Sequence, residues 1–272
     1  MTTLLSAQDV SFRIENRDLV HKVNLNLRAG EIVAVIGRNG AGKTTLLRLL
    51  TGDLKPSQGH VSVFGQPIET HSLKELAKNR AVLSQSTPLH FDFRVFEVVL
   101  LGRTPHQHSH RESQTDIQIA KHCLTQVGLA GFENRQYLTL SGGEQQRVQL
   151  ARALAQITAP DQATDTESQA SLLFLDEPTS SLDISHQHKI LQVARARVDQ
   201  SQHGHALGVF AILHDINLAA QYADRILVLS QGQRLAFGPS AEVLNSDLLS
   251  EAFQHPITVI DHPTAAGKLV VT

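Results

Sequence analysis

Residues 37–44 read GRNGAGKT and join an apolar run, EIVAVIG at residues 31–37, to a helical pattern that continues to residue 52. Closely spaced glycines let the backbone curl so that successive N–H groups converge on one anion, at a helix N-terminus whose dipole favours negative charge. The loop ends in a lysine and a hydroxyl side chain, which can bind phosphate oxygens and Mg²⁺. A strand, a phosphate-binding loop and a helix in this order predict a nucleotide-binding α/β fold.

Apolar runs of strand length alternate with helical patterns along much of the chain, which predicts a largely parallel sheet covered by helices. The expected core strands are residues 31–37, 81–85, 171–176, 207–214 and 225–230, and half-buried antiparallel strands are expected at residues 3–14, 21–27 and 60–64. Residues 86–156 are mainly helical, the polar residues 157–171 predict a surface loop, and residues 236–272 predict two short helices with a cap between them.

Composition narrows the class of protein. A chain of 272 residues with 41% hydrophobic content can bury a sizeable core. The formal net charge of -2 gives no overall positive field, so no nucleic acid partner is expected. The single cysteine, Cys123, excludes an intramolecular disulfide and is expected to be buried. No apolar run reaches the roughly 18 residues of a membrane span and the N-terminus lacks signal-peptide features, so we expect a cytoplasmic protein that reaches a membrane only through a partner.

The residues of the phosphate loop have distinct expected contacts. Lys43 should reach the β and γ phosphates, Thr44 should place its hydroxyl on Mg²⁺, and Thr45 should contact the α phosphate. The remaining loop residues should cradle the phosphates; they are Gly37, Arg38, Asn39, Gly40, Ala41 and Gly42.

An acidic pair follows a second apolar run, LLFLDEP at residues 172–178. Asp176 would emerge at the carboxyl edge of the sheet and hold Mg²⁺, and Glu177 would act as general base for an attacking water, a role worth about 10²–10⁴ in rate. A solvated turn is the alternative, but it leaves the Mg²⁺ of the phosphate loop without a carboxylate. His214 ends a similar run and, taken alone, is more often a packed core histidine. Gln85, at the end of residues 81–85, carries no assignment alone.

Residues 140–147, LSGGEQQR, contain a capping box in which Ser141 is the N-cap and Glu144 stands three positions later. A capped helix that begins with two glycines presents bare N–H groups, so it predicts a second anion site. The local pattern leaves open which phosphate that site binds.

Together these motifs resemble the ATP-binding cassette (ABC) ATPase family. GRNGAGKT, Gln85, LSGGEQQR, LLFLDEP, SSLD at residues 180–183 and His214 stand in family order, and the resemblance covers about residues 4–250. It implies an ABC-type P-loop NTPase with a RecA-like, mostly parallel sheet, an N-terminal antiparallel β subdomain and an α-helical signature subdomain at about residues 86–156. Residues 157–171 would be a surface insert and residues 251–272 a C-terminal tail.

The resemblance also implies ATP and Mg²⁺ as ligands and a head-to-tail homodimer. Ser141, Gly142 and Gly143 of one subunit would bind the γ phosphate held by the other. Gln85 would sense the γ phosphate, ligate Mg²⁺ and line a groove for a membrane partner, His214 would contact the γ phosphate, and Asp183 would belong to the loop that couples the two sites. The implied partners are two transmembrane permease subunits and a periplasmic substrate-binding protein, with this chain on the cytoplasmic face of a bacterial inner membrane.

The adenine contact departs from the family pattern. Many members carry an aromatic residue at the position of Ile14. Phe12, two residues earlier on the same strand face, is the expected substitute, because a flat apolar ring can stack on a base.

Within the family, the sequence is similar to the ATPases of bacterial importers of iron-bearing chelates and cobalamin, through GRTPH at residues 102–106 and the acidic insert before Asp176. Haem is the expected cargo, with ferric siderophore or cobalamin as alternatives. A soluble ABC ATPase acting on DNA or ribosomes is the alternative of another class, and a pure scaffold would not need Glu177. Several of the fifteen histidines are paired, and we interpret them as solvated loop residues: His106, His108, His110, His186, His188, His203 and His205.

Overall fold

A computed structural model describes residues 2–85, 91–107, 112–159, 170–180, 182–200, 205–263 and 267–271. Its strands are β1 (Thr3–Ile14), β2 (Arg17–Arg28), β3 (Ile32–Ile36), β4 (Gln58–Val63), β5 (Gln66–Pro67), β6 (Arg80–Leu83), β7 (Ala170–Asp176), β8 (Ala206–Ile212), β9 (Arg225–Ser230), β10 (Gln233–Pro239), β11 (Thr258–Asp261) and β12 (Lys268–Val271). Its α-helices are α1 (Lys43–Leu50), α2 (Leu73–Asn79), α3 (Val95–Leu100), α4 (Gln114–Gln126), α5 (Gly142–Ile157), α6 (Ile184–Gln200), α7 (Ile216–Tyr222), α8 (Ser240–Val243) and α9 (Ser246–Phe253). Short 3₁₀ helices cover Ile68–Thr70, Leu101–His106 and Tyr137–Thr139.

The fold consists of two compact units. The first unit contains Met1–His71 and Gly208–Thr272, and the second contains Ser72–Leu207. Parallel strands, an antiparallel sheet and covering helices confirm the predicted α/β class.

The first unit holds two sheets. In one, β2, β1, β4 and β5 lie side by side and pair antiparallel, with Leu5 opposite both Leu27 and Val63. In the other, β3 lies between β8 and β9 and is parallel to both, while β10 adds an antiparallel edge to β9. All five residues of β3 are buried, because neighbouring strands occupy both its edges and both its faces are covered. The strand that leads into the phosphate loop is therefore the most enclosed part of this sheet.

The second unit pairs β6 with β7 in parallel, and Leu83 lies opposite Leu175. Helix α5 buries a face that includes Val148, Leu150 and Leu154. Its carboxyl end is held by the fully buried Arg103, whose guanidinium donates to the Ala155 and Thr158 carbonyl oxygens at 2.6 and 2.5 Å. The helix that begins in LSGGEQQR is thus fixed at its far end.

Most predicted strands are confirmed, with small differences at their ends. The strand predicted at residues 207–214 ends at Ile212, so His214 lies beyond it. The predicted loop at residues 157–171 was too long, because Ile157 still belongs to α5 and Ala170 already belongs to β7; residues 160–169 lie outside the described residues. The two tail helices and their cap are confirmed, since the Asn245 side chain accepts from the Leu248 N–H.

The tail also contains a feature that the sequence pattern did not indicate. Strands β11 and β12 form an antiparallel pair after α9. The side chain of Asn217 in α7 hydrogen-bonds to β12 as the backbone of a neighbouring strand would. It donates to the Val270 carbonyl at 3.1 Å and accepts from the Val270 N–H at 2.8 Å. The tail is therefore attached to the helix that follows His214.

Buried side chains test two further predictions. Cys123 is fully buried, as predicted, and burial raises the pKa of its thiol to about 11. The solvated interpretation is wrong for His106 and His205, whose Nε2 atoms contact the Gln156 carbonyl at 2.7 Å and the Ser171 hydroxyl at 3.0 Å. Burial lowers the pKa of both imidazoles. His108, His110 and His203 lie outside the described residues.

Within the described ranges, no helix has both the length and the apolar character needed to cross a bilayer.

Candidate nucleotide site

The phosphate loop runs from the end of β3 to the start of α1. Gly42 precedes the first helical residue and has a φ of 97°, in the left-handed region that suits glycine. A Cβ atom there would lie 2.4 Å from the Leu19 carbonyl oxygen, and one on Gly37 would lie 2.2 Å from the Leu229 carbonyl oxygen. Glycine is therefore required at both positions by close backbone neighbours as well as by the turn.

Lys43, the first residue of α1, is 5% exposed. Its ammonium group donates to the Gly37 carbonyl at 2.8 Å and to the Arg38 carbonyl at 3.1 Å. The cation thus lies inside the curl of the loop, where phosphate oxygens could replace the two carbonyls as acceptors. Thr44 and Thr45 follow in the first turn of the helix, Thr44 exposed and Thr45 half-buried.

A cavity of about 490 Å³ lies beside the phosphate loop. Its walls include Gly40 and Ala41 of the loop together with Arg17 and Leu19 from the start of β2. Phe12 is half-buried, is paired with Val20 across the hairpin, and is not among the residues that line this cavity. Arg17, which sequence reasoning missed, therefore lines the cavity beside the phosphate loop, whereas Phe12, the predicted adenine contact, does not.

Arg17 is available for a ligand, because its acidic neighbour is already engaged. The Asp18 carboxylate accepts two hydrogen bonds from Arg13, at 2.7 and 3.1 Å, and lies 3.3 Å from His21 Nδ1. Over the described ranges, no hydrogen bond or ion pair is formed by the Arg17 guanidinium. Arg17 lies near the phosphate loop only in the folded chain, and no sequence motif marks such a residue, so its place in the cavity could not be predicted.

A second cavity, of about 670 Å³, lies on the other side of Gly37–Asn39 and is lined by His214. His214 is exposed, so its interpretation as a packed core histidine is wrong. Asp215 fixes the backbone behind it by accepting from the Asn217 and Leu218 N–H groups at 2.7 and 3.2 Å, as the N-cap of α7. His214 therefore lies in a cavity that the phosphate loop also lines, as a γ-phosphate contact requires.

In the second unit, two side chains with oxygen atoms lie at or just beyond the carboxyl ends of two neighbouring strands. Asp176 is the last residue of β7, and Gln85 lies two residues beyond the end of the parallel strand β6. Glu177 has a φ of 51°, a left-handed conformation that costs a non-glycine residue free energy, and its carbonyl accepts from the Ser180 N–H and hydroxyl at 3.2 and 3.0 Å. Strained backbone of this kind is concentrated at functional sites.

The start of α5 forms the predicted capping box. The Ser141 hydroxyl accepts from the Glu144 N–H at 3.3 Å, and the Glu144 carboxylate accepts from the Ser141 N–H at 2.8 Å. This bond from the Ser141 backbone lowers the pKa of Glu144. Gly142 and Gly143 occupy the first turn, where helical N–H groups have no partner within the helix. The helix start therefore presents donors to an anion, as the sequence predicted.

Asp183 precedes α6 and is exposed. Its carboxylate accepts from the His186 N–H at 2.9 Å and lies 2.8 Å from the His186 ring nitrogen Nδ1. These bonds, the one from the His186 backbone first, lower the pKa of Asp183. His186 is thus a structured residue, and its interpretation as a solvated loop histidine is wrong.

Comparison with known proteins identifies the family. The family model described as "ABC transporter" matches residues 20–180. The chain belongs to the ABC transporter family. As a member of this family it binds ATP and is an ATPase coupled to transport.

Relatives within the ABC transporter family match almost the whole chain. The hemin import ATP-binding protein HmuV of Deinococcus radiodurans is 47% identical over 97% of this chain and 95% of its own length. The protein of the same name from Gloeobacter violaceus is 45% identical over 98% of this chain and 94% of its own.

Solved structures of the ABC family share the fold. A metal-chelate type ABC transporter in an inward-facing conformation superimposes with a TM-score of 0.79 and 28% identity, over 99% of this chain and 97% of that one. A dimeric bacterial ABC transporter cassette gives a TM-score of 0.69 and 26% identity, over 87% and 98% of the two chains.

Proposed function

We propose that the chain is the ATP-hydrolysing subunit of a bacterial importer whose cargo is haem. The assignment of haem as the cargo rests on the near full-length identity of 45–47% to two proteins named for hemin import. The likeness to a metal-chelate type transporter keeps a ferric siderophore or cobalamin importer as the second candidate, because these cargoes are also large metal chelates.

In this proposal, each site residue has a distinct role in ATP binding or hydrolysis. Lys43 exchanges its two loop carbonyls for β and γ phosphate oxygens, with the loop N–H groups from Gly37 to Gly42 around them. Thr45 contacts the α phosphate. Glu177 accepts a proton from the attacking water, and His214 holds the γ phosphate from the cavity beside the loop.

The donor set fits Mg²⁺, which prefers hard oxygen ligands and keeps several waters. The Thr44 hydroxyl, the Gln85 amide oxygen and the Asp176 carboxylate would hold it, and the last two lie at the ends of adjacent parallel strands. When bound, the ion neutralises charge on the phosphates. Gln85 also responds to the γ phosphate and lines the groove for the membrane partner.

Catalysis requires a second copy of the chain. The start of α5 presents Ser141, Gly142 and Gly143 as an anion site, while the phosphate loop already cradles a nucleotide of its own. We propose that these residues bind the γ phosphate held by a neighbouring copy in a head-to-tail homodimer, and that Asp183 couples the two sites. The dimeric solved cassette supports this proposal.

The same proposal assigns the partners and the location. Residues 4–250 form the ATPase domain, with a helical subdomain at about residues 86–156 and a tail from residue 251. Two copies act beneath two transmembrane permease subunits at the cytoplasmic face of the inner membrane, and a periplasmic protein delivers the cargo to the permease. Nucleic acid has no role.

Replacement of Glu177 by glutamine tests the ATPase assignment. The amide keeps the size of the side chain but cannot accept the proton, so hydrolysis is expected to fall about 10²–10⁴-fold while MgATP binding persists. The variant should accumulate as an ATP-bound dimer in size-exclusion chromatography with light scattering. A hydrolysis rate near that of the wild type would exclude Glu177 as the base.

A further inference from the structure

The imidazole of His186 lies against the second glycine of the signature motif. A Cβ atom on Gly143 would lie 2.6 Å from His186 Cδ2, 2.8 Å from Cγ and 3.0 Å from Nε2. The first two distances are shorter than Cβ atoms show in proteins, so the ring occupies the space that a side chain at position 143 would need. At Gly142, one residue earlier, no atom of the described residues outside its chain neighbours and its own helix backbone lies within 4 Å of the equivalent point. The two glycines of LSGGEQQR therefore have different surroundings.

The same imidazole also holds the loop that contains Asp183. Its Nδ1 lies 2.8 Å from both carboxylate oxygens, and the His186 N–H donates to one of them at 2.9 Å. An ionised carboxylate can only accept, so Nδ1 carries a proton and donates. One side chain thus connects the end of the Asp183 loop to the first turn of α5.

Burial distinguishes the two partners. The His186 side chain is 22% exposed, whereas the Asp183 side chain is 65% exposed. The imidazole is therefore enclosed between the two segments, and the carboxylate stays open to a neighbouring molecule. This arrangement is typical of a side chain that supports another group.

We infer that His186 is a positioning residue that fixes the Asp183 loop to the start of the signature helix. The two segments then form one preformed surface for the nucleotide of a neighbouring copy, an inference that rests on the proposed function. A preformed surface lowers the entropic cost of association, because fewer side chains and backbone torsions are ordered on binding. The contact between His186 and Gly143 therefore favours closure of the dimer. The phosphate loop of the same chain binds ATP whether or not this contact is present.

Dimerisation in the Glu177→Gln background measures this role. Adding His186→Ala is expected to raise the dissociation constant of the ATP-bound dimer about three- to tenfold, the effect of one or two side chains that are no longer preorganised. MgATP binding to the monomer should stay unchanged. His186→Asn should recover part of the loss, since its amide can still donate to Asp183. His122→Ala, on the exposed face of α4, is the matched control.

A double substitution tests the contact without any nucleotide. Gly143→Ala should lower Tm by several degrees when His186 is present, because the methyl group collides with the ring. In the His186→Ala background the same substitution should cost much less. Equal losses in both backgrounds would show that the ring does not restrict position 143.

The outcomes separate this inference from the function on which it rests. If Glu177→Gln alone fails to dimerise with ATP, the proposed function is wrong. If Glu177→Gln dimerises and His186→Ala does not weaken the dimer, the positioning role is wrong. A weaker dimer accompanied by equally weak MgATP binding to the monomer would also overturn it, because general damage would then explain the loss.

Discussion

The side chain of Lys43 is held inside the phosphate loop by hydrogen bonds to the backbone. Its ammonium group is almost fully buried and is satisfied by two loop carbonyls, which keep it pointing into the phosphate site. Lys43→Ala removes a charge-assisted hydrogen bond worth about 1.5–3 kcal/mol, so MgATP affinity should fall about 10–160-fold in isothermal titration calorimetry. Lys55→Ala removes an exposed lysine and should leave it unchanged. Normal binding by Lys43→Ala would refute the phosphate-loop assignment.

Arg17 and Phe12 are two alternative candidates for the residue that contacts the adenine base. The Arg17 guanidinium lines the cavity beside the loop and can stack on a base, an interaction worth about 0.5–2 kcal/mol. Arg17→Ala should therefore weaken ATP binding about 2–30-fold and leave the binding of inorganic tripolyphosphate unchanged. Phe12→Ala should have the smaller effect on ATP. A larger effect of Phe12→Ala would support Phe12 as the adenine contact.

Helix α5 is capped at its start by its own residues and is held at its carboxyl end by a residue that lies far from it in sequence. Ser141 and Glu144 cap its start, while Arg103 grips its carboxyl end and pairs with Asp116 of α4 at 2.8 Å. Arg103 is fully buried and Asp116 is 6% exposed. The GRTPH segment, which the sequence suggested only as a mark of resemblance, is therefore a structural clamp on the signature helix.

Breaking this pair should destabilise the protein strongly. Asp116→Asn leaves a buried guanidinium without its carboxylate, which costs about 3–5 kcal/mol of the free energy of unfolding. Asp199→Asn breaks the exposed pair with Arg195 and should cost less than about 1 kcal/mol. Urea denaturation measures both. Equal, small losses would mean that the buried pair contributes no more than a surface pair.

The pair should also give stability a defined pH dependence. Burial opposes ionisation of Asp116, but hydrogen bonds from Arg103 and Ser113 outweigh it and lower the pKa overall. Its contribution is therefore present above the ordinary aspartate pKa of about 3.9 and is lost as pH falls through the lower folded value. The gap in unfolding free energy between wild type and Asp116→Asn should stay constant from about pH 7 to 5 and narrow below about pH 4.

The elements that sequence predicted are those specified by local pattern. The enclosed strand β3, the glycine loop and the capping box each follow from neighbouring residues, and all were confirmed. Contacts between distant segments could not be predicted. Arg17 enters a cavity through the position of β2, and His186 lies on Gly143 only because α5 and α6 meet. The strand pair β11 and β12 depends on the Asn217 side chain in the same way.

At the scale of the whole molecule, the proposed function gives each chain one nucleotide cradle and half of a second site. The phosphate loop and the start of α5, where the second anion site is proposed, belong to different units of the fold. Under the proposed function, both become productive only when two copies close on two ATP molecules. On this proposal, the isolated chain is an incomplete enzyme, and its hydrolysis is coupled to transport only in an assembly with a permease.

Under the proposed function, the permease and the periplasmic protein handle the cargo, so cargo selectivity is expected to lie outside this chain. ATP hydrolysis by the isolated chain should not respond to hemin. When the chain is reconstituted in vesicles with its permease, hemin-loaded periplasmic protein should raise hydrolysis severalfold, and cobalamin or a ferric siderophore should not. The Glu177→Gln variant in the same vesicles is the control for background hydrolysis. A response to cobalamin or siderophore without one to hemin would keep the importer assignment and replace the cargo.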